Sequence, residues 1–283
     1  MSEHAESRRM RLLEHLVTSP DPQDIASLAT ELKCDERTIR RDIDFLQQIL
    51  QKASGIELRR GRVHVSRDGY SAGYFTDQLE RRVEAKRAIA RTITASLADE
   101  LAIALTAGST PYAVATEIRR AAVEGVPPHN LIVFTNSVPS LLELITAGVS
   151  TGVIGEIYSS EDCALHTSEF NSAFQPSLAI VGASGVLISN GTGQLDLFSH
   201  RAEEAAFLKQ VLTVVPEVIV AVDSSKLGKR HPWNFGGAAL HGKRVRLVTE
   251  TLTEEQISQL TSLSERLEAS FNTHLTFEQA SIN

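Results

Sequence analysis

Apolar residues recur at helical spacing in three short segments at the start of the chain. The first segment runs over residues 8–18, the second places Ile25, Leu28 and Leu32 on one face, and the third runs from Asp35 to about Leu50. This spacing predicts three amphipathic helices. Asp35 is a residue type that caps helix N-termini. The last two helices are joined by a very short turn, which is the layout of a helix-turn-helix.

A different pattern follows the third helix. Apolar and polar residues alternate on both sides of Gly61 over residues 56–65, which predicts a β-hairpin. Three helices and a hairpin together predict a winged helix-turn-helix, and we assign residues 1–67 to a DNA-binding domain. Residues 68–83 contain few apolar positions at their start, and we interpret them as a linker.

Helices alternate with short β-rich runs from residue 84 onward. The predicted helices are Glu84–Leu97, Tyr112–Ala122, Pro139–Ala147, Arg201–Val214 and Thr253–Leu267. The predicted strands are Leu101–Leu105, Leu131–Phe134, a weaker one near Val153–Ile157, Leu178–Val181, Val218–Val222 and Val245–Val248. Such alternation is typical of an α/β layer with a mostly parallel sheet. We assign residues 84–283 to one α/β domain.

Composition narrows the class of protein. The 283 residues exceed the usual size of one domain, and 42% of them are hydrophobic, as in soluble globular proteins. No apolar run is long enough to span a bilayer, and the polar N-terminus carries no export signal, so we expect a cytoplasmic protein. The two cysteines are far apart and the histidines are scattered, which argues against a disulfide framework and a metal site.

The charge is distributed unevenly along the chain. Formal net charge is −7, but acidic and basic residues nearly balance in residues 1–67, so almost all of the negative charge follows them. The arginines of the first part fall into two clusters, one in the third helix and one in the hairpin. A local basic face of this kind can dock on phosphates despite the acidic total.

The polar side chains of the third helix gather near its N-terminus. Ile39 and Ile43 turn inward at helical spacing. Arg37, Arg40 and Arg41 then lie largely outward, where a recognition helix meets base edges and phosphates. A solvated surface helix would show the same pattern, but the neighbouring helices and hairpin favour DNA binding, and we expect Asp42 to balance an arginine. The candidate DNA-binding residues are Asp35, Arg37, Thr38, Arg40, Arg41, Arg59, Arg60 and Arg62.

Small polar residues cluster where four of the predicted strands end. The clusters are residues 106–110, residues 135–137, residues 182–185 and residues 223–226. Open α/β sheets bind ligands at the carboxyl ends of strands, and glycine before a helix N-terminus suits an anion. Ordinary turns use the same residue types. Four clusters together, with Lys226 for charge, favour a polar anionic ligand; a Walker loop, a Rossmann fingerprint and a G-x-S-x-G motif are all missing.

Two sets of motifs resemble the DeoR family of bacterial regulators. Thr38-Ile39-Arg40-Arg41-Asp42 is similar to the family's recognition helix. Lys86 and the four strand-end clusters resemble, in the same order, its sensor domain, whose fold is similar to ribose-5-phosphate isomerase. The chain departs from the family in its hairpin, where Arg59-Arg60-Gly61-Arg62 replaces a common His-Gly-Gly-Ala turn, and over residues 150–175.

The resemblance implies a sensor for sugar phosphates, and we therefore assign residues 84–283 to effector sensing and oligomerisation. It implies that Gly108, Ser109 and Thr110 hold a phosphate and that Lys226 faces anionic or hydroxyl groups of the ligand. The candidate effector-binding residues are Gly108, Ser109, Thr110, Thr135, Asn136, Ser137, Gly182, Ser184 and Lys226. His200, Arg201, Glu203 and Trp233 fit either a pocket wall or ordinary helix and loop positions.

The sequence therefore predicts a ligand-responsive transcriptional regulator, a repressor that binds operator DNA as a homo-oligomer, dimer or tetramer, with no cofactor and no catalytic residue. One alternative is an isomerase-like enzyme with an accessory DNA-binding domain. The isomerases place acidic residues just after the glycine of the fourth strand, whereas this chain has Ala183-Ser184-Gly185-Val186 there. Another alternative is a DNA-binding protein whose second domain only oligomerises.

Overall fold

A computed structural model describes residues 8–9, 11–12, 15–16, 23–50, 56–59, 61–65, 73–159, 162–167, 175–189 and 193–282. The chain divides into two compact units. The first comprises residues 1–76 and 158–163, and the second comprises residues 77–157 and 164–283. None of the described helices is both long and apolar enough to cross a membrane.

The first unit contains two complete helices and a small sheet. Its elements are β1 (Gln23–Asp24), α1 (Ile25–Glu31), α2 (Glu36–Leu50), β2 (Ile56–Arg59) and β3 (Arg62–Val65). Residues 8–9, 11–12 and 15–16 are also helical. The strands are antiparallel in the order β1-β3-β2, so the predicted hairpin is present and gains a third strand.

The apolar positions that predict these helices form the core of the first unit. Asp24 caps α1 by accepting a hydrogen bond from the Ser27 amide. Residues at helical spacing on α1 and α2 then point to the same interior, which also takes a side chain from the hairpin. The fully buried apolar residues are Leu12, Leu16, Ile25, Leu28, Ile39, Ile43 and Val63.

The second unit is built on a seven-stranded sheet in the order β15-β14-β12-β9-β4-β5-β6, with every pair parallel. These strands are β4 (Ala102–Leu105), β5 (Ile132–Thr135), β6 (Ser150–Val153), β9 (Leu178–Val181), β12 (Glu217–Ala221), β14 (Arg244–Thr249) and β15 (His274–Gln279). The prediction of an α/β layer with a mostly parallel sheet is therefore confirmed.

Helices cover both faces of this sheet. The helices from residue 73 onward are α3 (Gly73–Glu80), α4 (Val83–Ala95), α5 (Ser109–Glu124), α6 (Val138–Thr146), α7 (Ala202–Val214) and α8 (Glu254–Phe271). Along β12, Val218 and Val220 pack in one apolar cluster with residues of α7 and α8, while Ile219 packs in the other with residues of α4 and α5. Strands buried on both faces appear in sequence as continuous apolar runs, which is why these were predictable.

A second, smaller sheet follows β9 and was not predicted. Its strands are β10 (Gly185–Ser189), β11 (Gln194–Ser199) and β13 (Trp233–Asn234), in the antiparallel order β10-β11-β13. The remaining short strands are β7 (Ile157–Ser159) and β8 (Ala164–His166).

Three local predictions need correction. The weak strand expected near Val153–Ile157 lies earlier in the chain, as β6 at Ser150–Val153. Its position was hard to predict because this strand is at the edge of the sheet and has few apolar residues. The segment interpreted as a linker contains the eight-residue helix α3. The strand at Val245–Val248 is present within β14 but is not the last strand, since β15 follows α8.

Candidate functional site

The four strands that precede the predicted polar clusters are neighbours in the large sheet. Their order is β12-β9-β4-β5, and all run parallel. Their carboxyl ends therefore share one edge, where open α/β sheets bind ligands. The clusters at residues 106–110, 135–137, 182–185 and 223–226 all lie along this edge, which we call the strand-end site.

The loop after β4 leads directly into α5. Gly108 has a backbone φ of 137°, a value that residues with a side chain rarely adopt, and α5 begins at Ser109. A Cβ on Gly182 would lie 3.2 Å from the Pro111 Cδ, so the loop after β9 packs closely against this turn. Ser109 is half-buried and Thr110 is buried. The geometry leaves the first amides of a sixteen-residue helix at the sheet edge, where a helix favours negative charge.

The cluster after β5 holds neighbouring loops in place. The Asn136 side chain accepts a hydrogen bond from the Ala107 amide at 2.7 Å and donates one to the Leu165 carbonyl at 3.0 Å. Ser137 caps α6 by accepting from the Ser140 amide, and Thr135 accepts from the Ser137 amide. All three side chains are buried. Asn136 thus holds the loop after β4, which contains Gly108, and supports the strand-end site.

A fifth strand end joins the site without having been predicted. Glu250, directly after β14, accepts hydrogen bonds from the Ser224 amide at 2.8 Å and the Ser224 hydroxyl at 2.7 Å. Arg82 also contacts Glu250, and its Nε lies 3.6 Å from the Asp223 carboxylate. Burial alone would raise the pKa of Glu250, but the hydrogen bonds from Ser224 and Arg82 lower it below its usual value. These contacts fix the turn that carries Lys226.

Two lysines, buried Lys86 and half-buried Lys226, place positive charge at the site. The Lys226 amine donates to the Gln78 side-chain oxygen at 3.0 Å. The Lys86 amine donates to the Arg81 carbonyl at 2.6 Å and also contacts the Gln78 carbonyl. Burial lowers the pKa of Lys86 to about 8 and lowers that of Lys226, although Asp223 opposes both shifts. Lys86 was singled out by resemblance alone, and Gln78 was missed because it lies in the segment interpreted as a linker.

His200 lies beside the strand-end site. Its Nδ1 is 2.9 Å from the Ser184 hydroxyl, and its ring centroid is 6.3 Å from that of His231. Trp233 on β13 is 49% exposed, which favours neither a packed loop nor a closed lid. His200 is therefore joined to a predicted effector residue, while Arg201 and Glu203 fall at the start of α7.

Five of the candidate DNA-binding residues lie at or just before the start of α2. Asp35 accepts hydrogen bonds from the Thr38 amide at 2.7 Å and the Thr38 hydroxyl at 3.1 Å, and these bonds lower its pKa. Thr38 is half-buried by this cap. Exposed positions hold the guanidinium-bearing residues Arg37, Arg40, Arg41 and Arg62. The Arg59 side chain and all of Arg60 lie outside the described residues.

The acidic residue expected to balance an arginine on this helix does so. Asp42 is fully buried, with Arg8 Nε 2.6 Å and Arg9 Nε 2.8 Å from its carboxylate oxygens. The Arg9 guanidinium also lies 3.5 Å from the centroid of the Phe45 ring. Asp42 therefore joins the first helical residues to α2 and leaves its neighbours Arg40 and Arg41 to solvent.

A groove of about 400 Å³ lies at the opposite edge of the large sheet. It is lined by residues such as Leu101, Ser177 and Arg246, close to the amino ends of the strands, with none from the strand-end clusters. The chemistry is thus concentrated away from this groove. Among the described residues, His, Cys, Asp and Glu form no group of three that could hold a metal ion.

A family profile and a known transcriptional regulator both match the sequence of this chain. The sequence profile of the family described as the DeoR C terminal sensor domain matches residues 81–242. The HTH-type transcriptional regulator GlpR of Haloferax volcanii is 26% identical over 229 residues, which cover 79% of this chain and 83% of that protein.

Two solved structures match the chain with TM-scores below 0.5. Ribose 5-phosphate isomerase from Plasmodium falciparum matches with a TM-score of 0.38 and 17% identity, over 50% of this chain and 52% of that one. The eIF2B delta subunit from Chaetomium thermophilum matches with a TM-score of 0.35 and 14% identity, over 81% and 84%. The chain thus spans about half the length of the isomerase.

Proposed function

The chain belongs to the DeoR family by its C-terminal sensor domain, and on that basis we propose that it is a transcriptional regulator whose operator affinity is controlled by a sugar phosphate. The observation that carries the sensing role is the meeting of four polar strand ends, buried Lys86 and half-buried Lys226 at one end of the sheet. The similarity to the Haloferax volcanii HTH-type transcriptional regulator GlpR supports the DNA-binding role.

The DNA-binding role falls to the first unit. We propose that its helices and hairpin, within residues 1–67, act as a winged helix-turn-helix with α2 as the recognition helix. Exposed Arg37, Arg40 and Arg41 near the start of α2 occupy the positions that reach base edges and phosphates in such motifs. Thr38 is held by Asp35 and stabilises the same helix end. Arg59, Arg60 and Arg62 of the hairpin would add phosphate contacts in the adjoining groove.

The sensing role falls to the strand-end site of the domain that begins near residue 84. A phosphate dianion would accept hydrogen bonds from the first amides of α5 and from the Ser109 and Thr110 hydroxyls. Lys226 would supply the balancing charge, since the described partner of its half-buried amine is the neutral amide of Gln78. The hydroxyls of the sugar would then meet Ser184 and its partner His200.

We propose that the protein is a repressor that acts in the cytoplasm as a homo-oligomer and turns over no substrate. Helix-turn-helix readers bind paired half-sites, so a dimer or tetramer would place two copies of α2 on one operator. The absence of a carboxylate from residues 183–186 argues against isomerisation, which needs an acid or base beside the sugar.

One experiment tests this proposal as a whole. The full chain is bound to a fluorescent fragment of its own promoter and titrated with a panel of triose, pentose and hexose phosphates, with the matching free sugars as controls. We expect at least one phosphate to release the operator, while its free sugar does not. A full switch needs an affinity ratio of roughly 10⁴ between the two states. If no phosphate in the panel changes operator affinity, the sensing role is wrong; turnover of ribose 5-phosphate would indicate the isomerase instead.

A further inference from the structure

Helix α3 ends on the two lysines of the strand-end site. Gln78, near the C-terminal end of α3, accepts a hydrogen bond from Lys226 with its side chain and one from Lys86 with its backbone carbonyl. The Lys86 amine also donates a hydrogen bond to the backbone carbonyl of Arg81, the residue that follows α3. A cation on the last carbonyls of a helix stabilises that helix end. The C-terminal end of α3 is therefore held by positive charge that belongs to the site.

Both amines are paired with neutral oxygens instead of carboxylates. Within the described part of the chain, no carboxylate oxygen lies within 4.0 Å of either amine, and the nearest acidic influence on both is Asp223. A buried cation without a contacting anion is costly, since only partial charges compensate it. Hydrogen bonds between two charged groups are roughly twice as strong as those that involve neutral partners. A phosphate arriving at the strand ends would therefore attract Lys226 more strongly than the Gln78 amide does.

We propose that Gln78 is a positioning residue of the effector site that competes with the phosphate for Lys226, so that occupation of the site releases the C-terminal end of α3. This inference rests on the proposed function and names the regulation of the same site. Because α3 is the first helix after the β2–β3 hairpin among the residues that the structure describes, its release gives the site a means of altering the part of the chain that follows the DNA-binding residues.

Substitutions of Gln78 separate competition from simple support. Gln78→Ala removes the competing oxygen, and we expect phosphate ligands to bind about fivefold more tightly, the equivalent of one ordinary hydrogen bond. Gln78→Glu gives Lys226 a charged partner, and we expect binding to weaken at least about tenfold. Asp77→Ala and Glu80→Gln change exposed side chains of the same helix and serve as controls for truncation and for charge. A residue that only supported the fold would weaken binding in both Gln78 variants.

The test measures the affinity of the full chain for two probes, inorganic phosphate and ribose 5-phosphate, by titration calorimetry. A parallel measurement follows amide hydrogen exchange over residues 77–86, which we expect to become faster in the wild type when a probe is added. Tighter binding by Gln78→Ala, weaker binding by Gln78→Glu and unchanged controls support the inference.

Other outcomes overturn it in distinguishable ways. If the wild type binds the probes but Gln78→Ala binds them equally or more weakly, competition by Gln78 is wrong while the sensing role stands. Exchange that slows over residues 77–86 also contradicts release of α3. If the wild type binds neither probe and no sugar phosphate of the operator panel, the proposed function fails and the role of Gln78 fails with it.

Discussion

The cations of the two units are held in opposite ways. Arg37, Arg40 and Arg41 stand exposed on α2, and only Arg40 has a described ion pair, a long one of 3.7 Å to Glu36. Lys86 and Lys226 are enclosed at the strand ends, and burial lowers their pKa values. Exposed guanidinium groups remain charged and free to follow an extended polyanion. Enclosed amines interact strongly with one small anion, because little water competes.

Under the proposed function, this contrast explains how one acidic protein binds two kinds of phosphate. The net charge of −7 gives no general attraction for anions. The proposed binding therefore depends on local arrangement: the exposed arginines of α2 in one unit, and the lysines of the strand-end site in the other. Substitutions in the two units should have separable effects, and the predictions below are ordered from the largest expected effect to the smallest.

The largest effect is expected at Asp42, the buried carboxylate of the helix that carries the exposed arginines. Asp42→Asn leaves Arg8 and Arg9 without their anion, and we expect the first unit to lose about 3 kcal/mol of unfolding free energy. Hydrogen exchange of α2 amides measures this loss. Asp44→Asn makes the same change at an exposed position and should stay within about 0.5 kcal/mol of the wild type. Equal effects of the two variants would show that the Asp42 ion pairs add no stability.

The next largest effect is expected at Lys226, the half-buried lysine of the strand-end site. Lys226→Ala removes a charge-assisted hydrogen bond to the phosphate, so we expect sugar-phosphate affinity to fall by about 2 kcal/mol, or roughly 30-fold. Titration calorimetry measures it with the sugar phosphate found in the operator panel. Lys229→Ala, at an exposed position three residues later, is the control. A similar loss in both variants would mean that general charge, and not the enclosed amine, attracts the ligand.

A smaller effect is expected from each exposed arginine. Arg40→Ala should weaken operator binding about tenfold and reduce the salt dependence by about one counterion, because a single phosphate contact is lost. Binding measured at several salt concentrations gives both numbers. The control is Arg91→Ala, an equally exposed arginine on α4. An unchanged salt slope for Arg40→Ala would remove Arg40 from the DNA surface.

The pH dependence distinguishes the amines from the guanidinium groups. Lys86 has a pKa of about 8, below its ordinary value, so it loses its proton as pH rises through 8. A phosphate monoester is already a dianion above pH 7, since its second pKa is about 6. Sugar-phosphate affinity should therefore fall, up to about tenfold, between pH 7 and 9, whereas operator affinity stays constant.

The Lys86→Met variant provides the check on this assignment. It cannot titrate at this position, so its sugar-phosphate affinity should change less over the same pH interval. A wild-type profile that stays flat from pH 7 to 9 would contradict a role for Lys86 in attracting the anion.

The central strands and their polar ends were predictable from the sequence because burial on both faces leaves a simple record. Val218–Val222 and Leu178–Val181 are continuous apolar runs, and the small polar residues after them are the visible sign of loops at a sheet edge. In the first unit, the spacing of Ile39 and Ile43 predicted the buried face of α2, which both residues occupy.

Elements that are buried on one side only could not be predicted in this way. Strand β15 has only Leu275 fully buried and reads as a polar segment, so its pairing with β14 comes from tertiary context. Helix α3 begins at a glycine in a segment with few apolar residues, and Gln78 has no local feature that marks it. Glu250 was missed because contacts between distant strand ends, such as its bonds to Ser224, leave no spacing pattern.

The most direct measurement is a crossed comparison of two variants on the same operator, with the sugar phosphate that releases the wild type. Lys226→Ala should bind the operator with wild-type affinity but remain bound at ligand concentrations that release the wild type. Arg40→Ala should bind the operator weakly but bind the sugar phosphate with wild-type affinity. If Lys226→Ala is released as readily as the wild type, the strand-end lysine does not sense the metabolite and the division of roles between the two units is wrong.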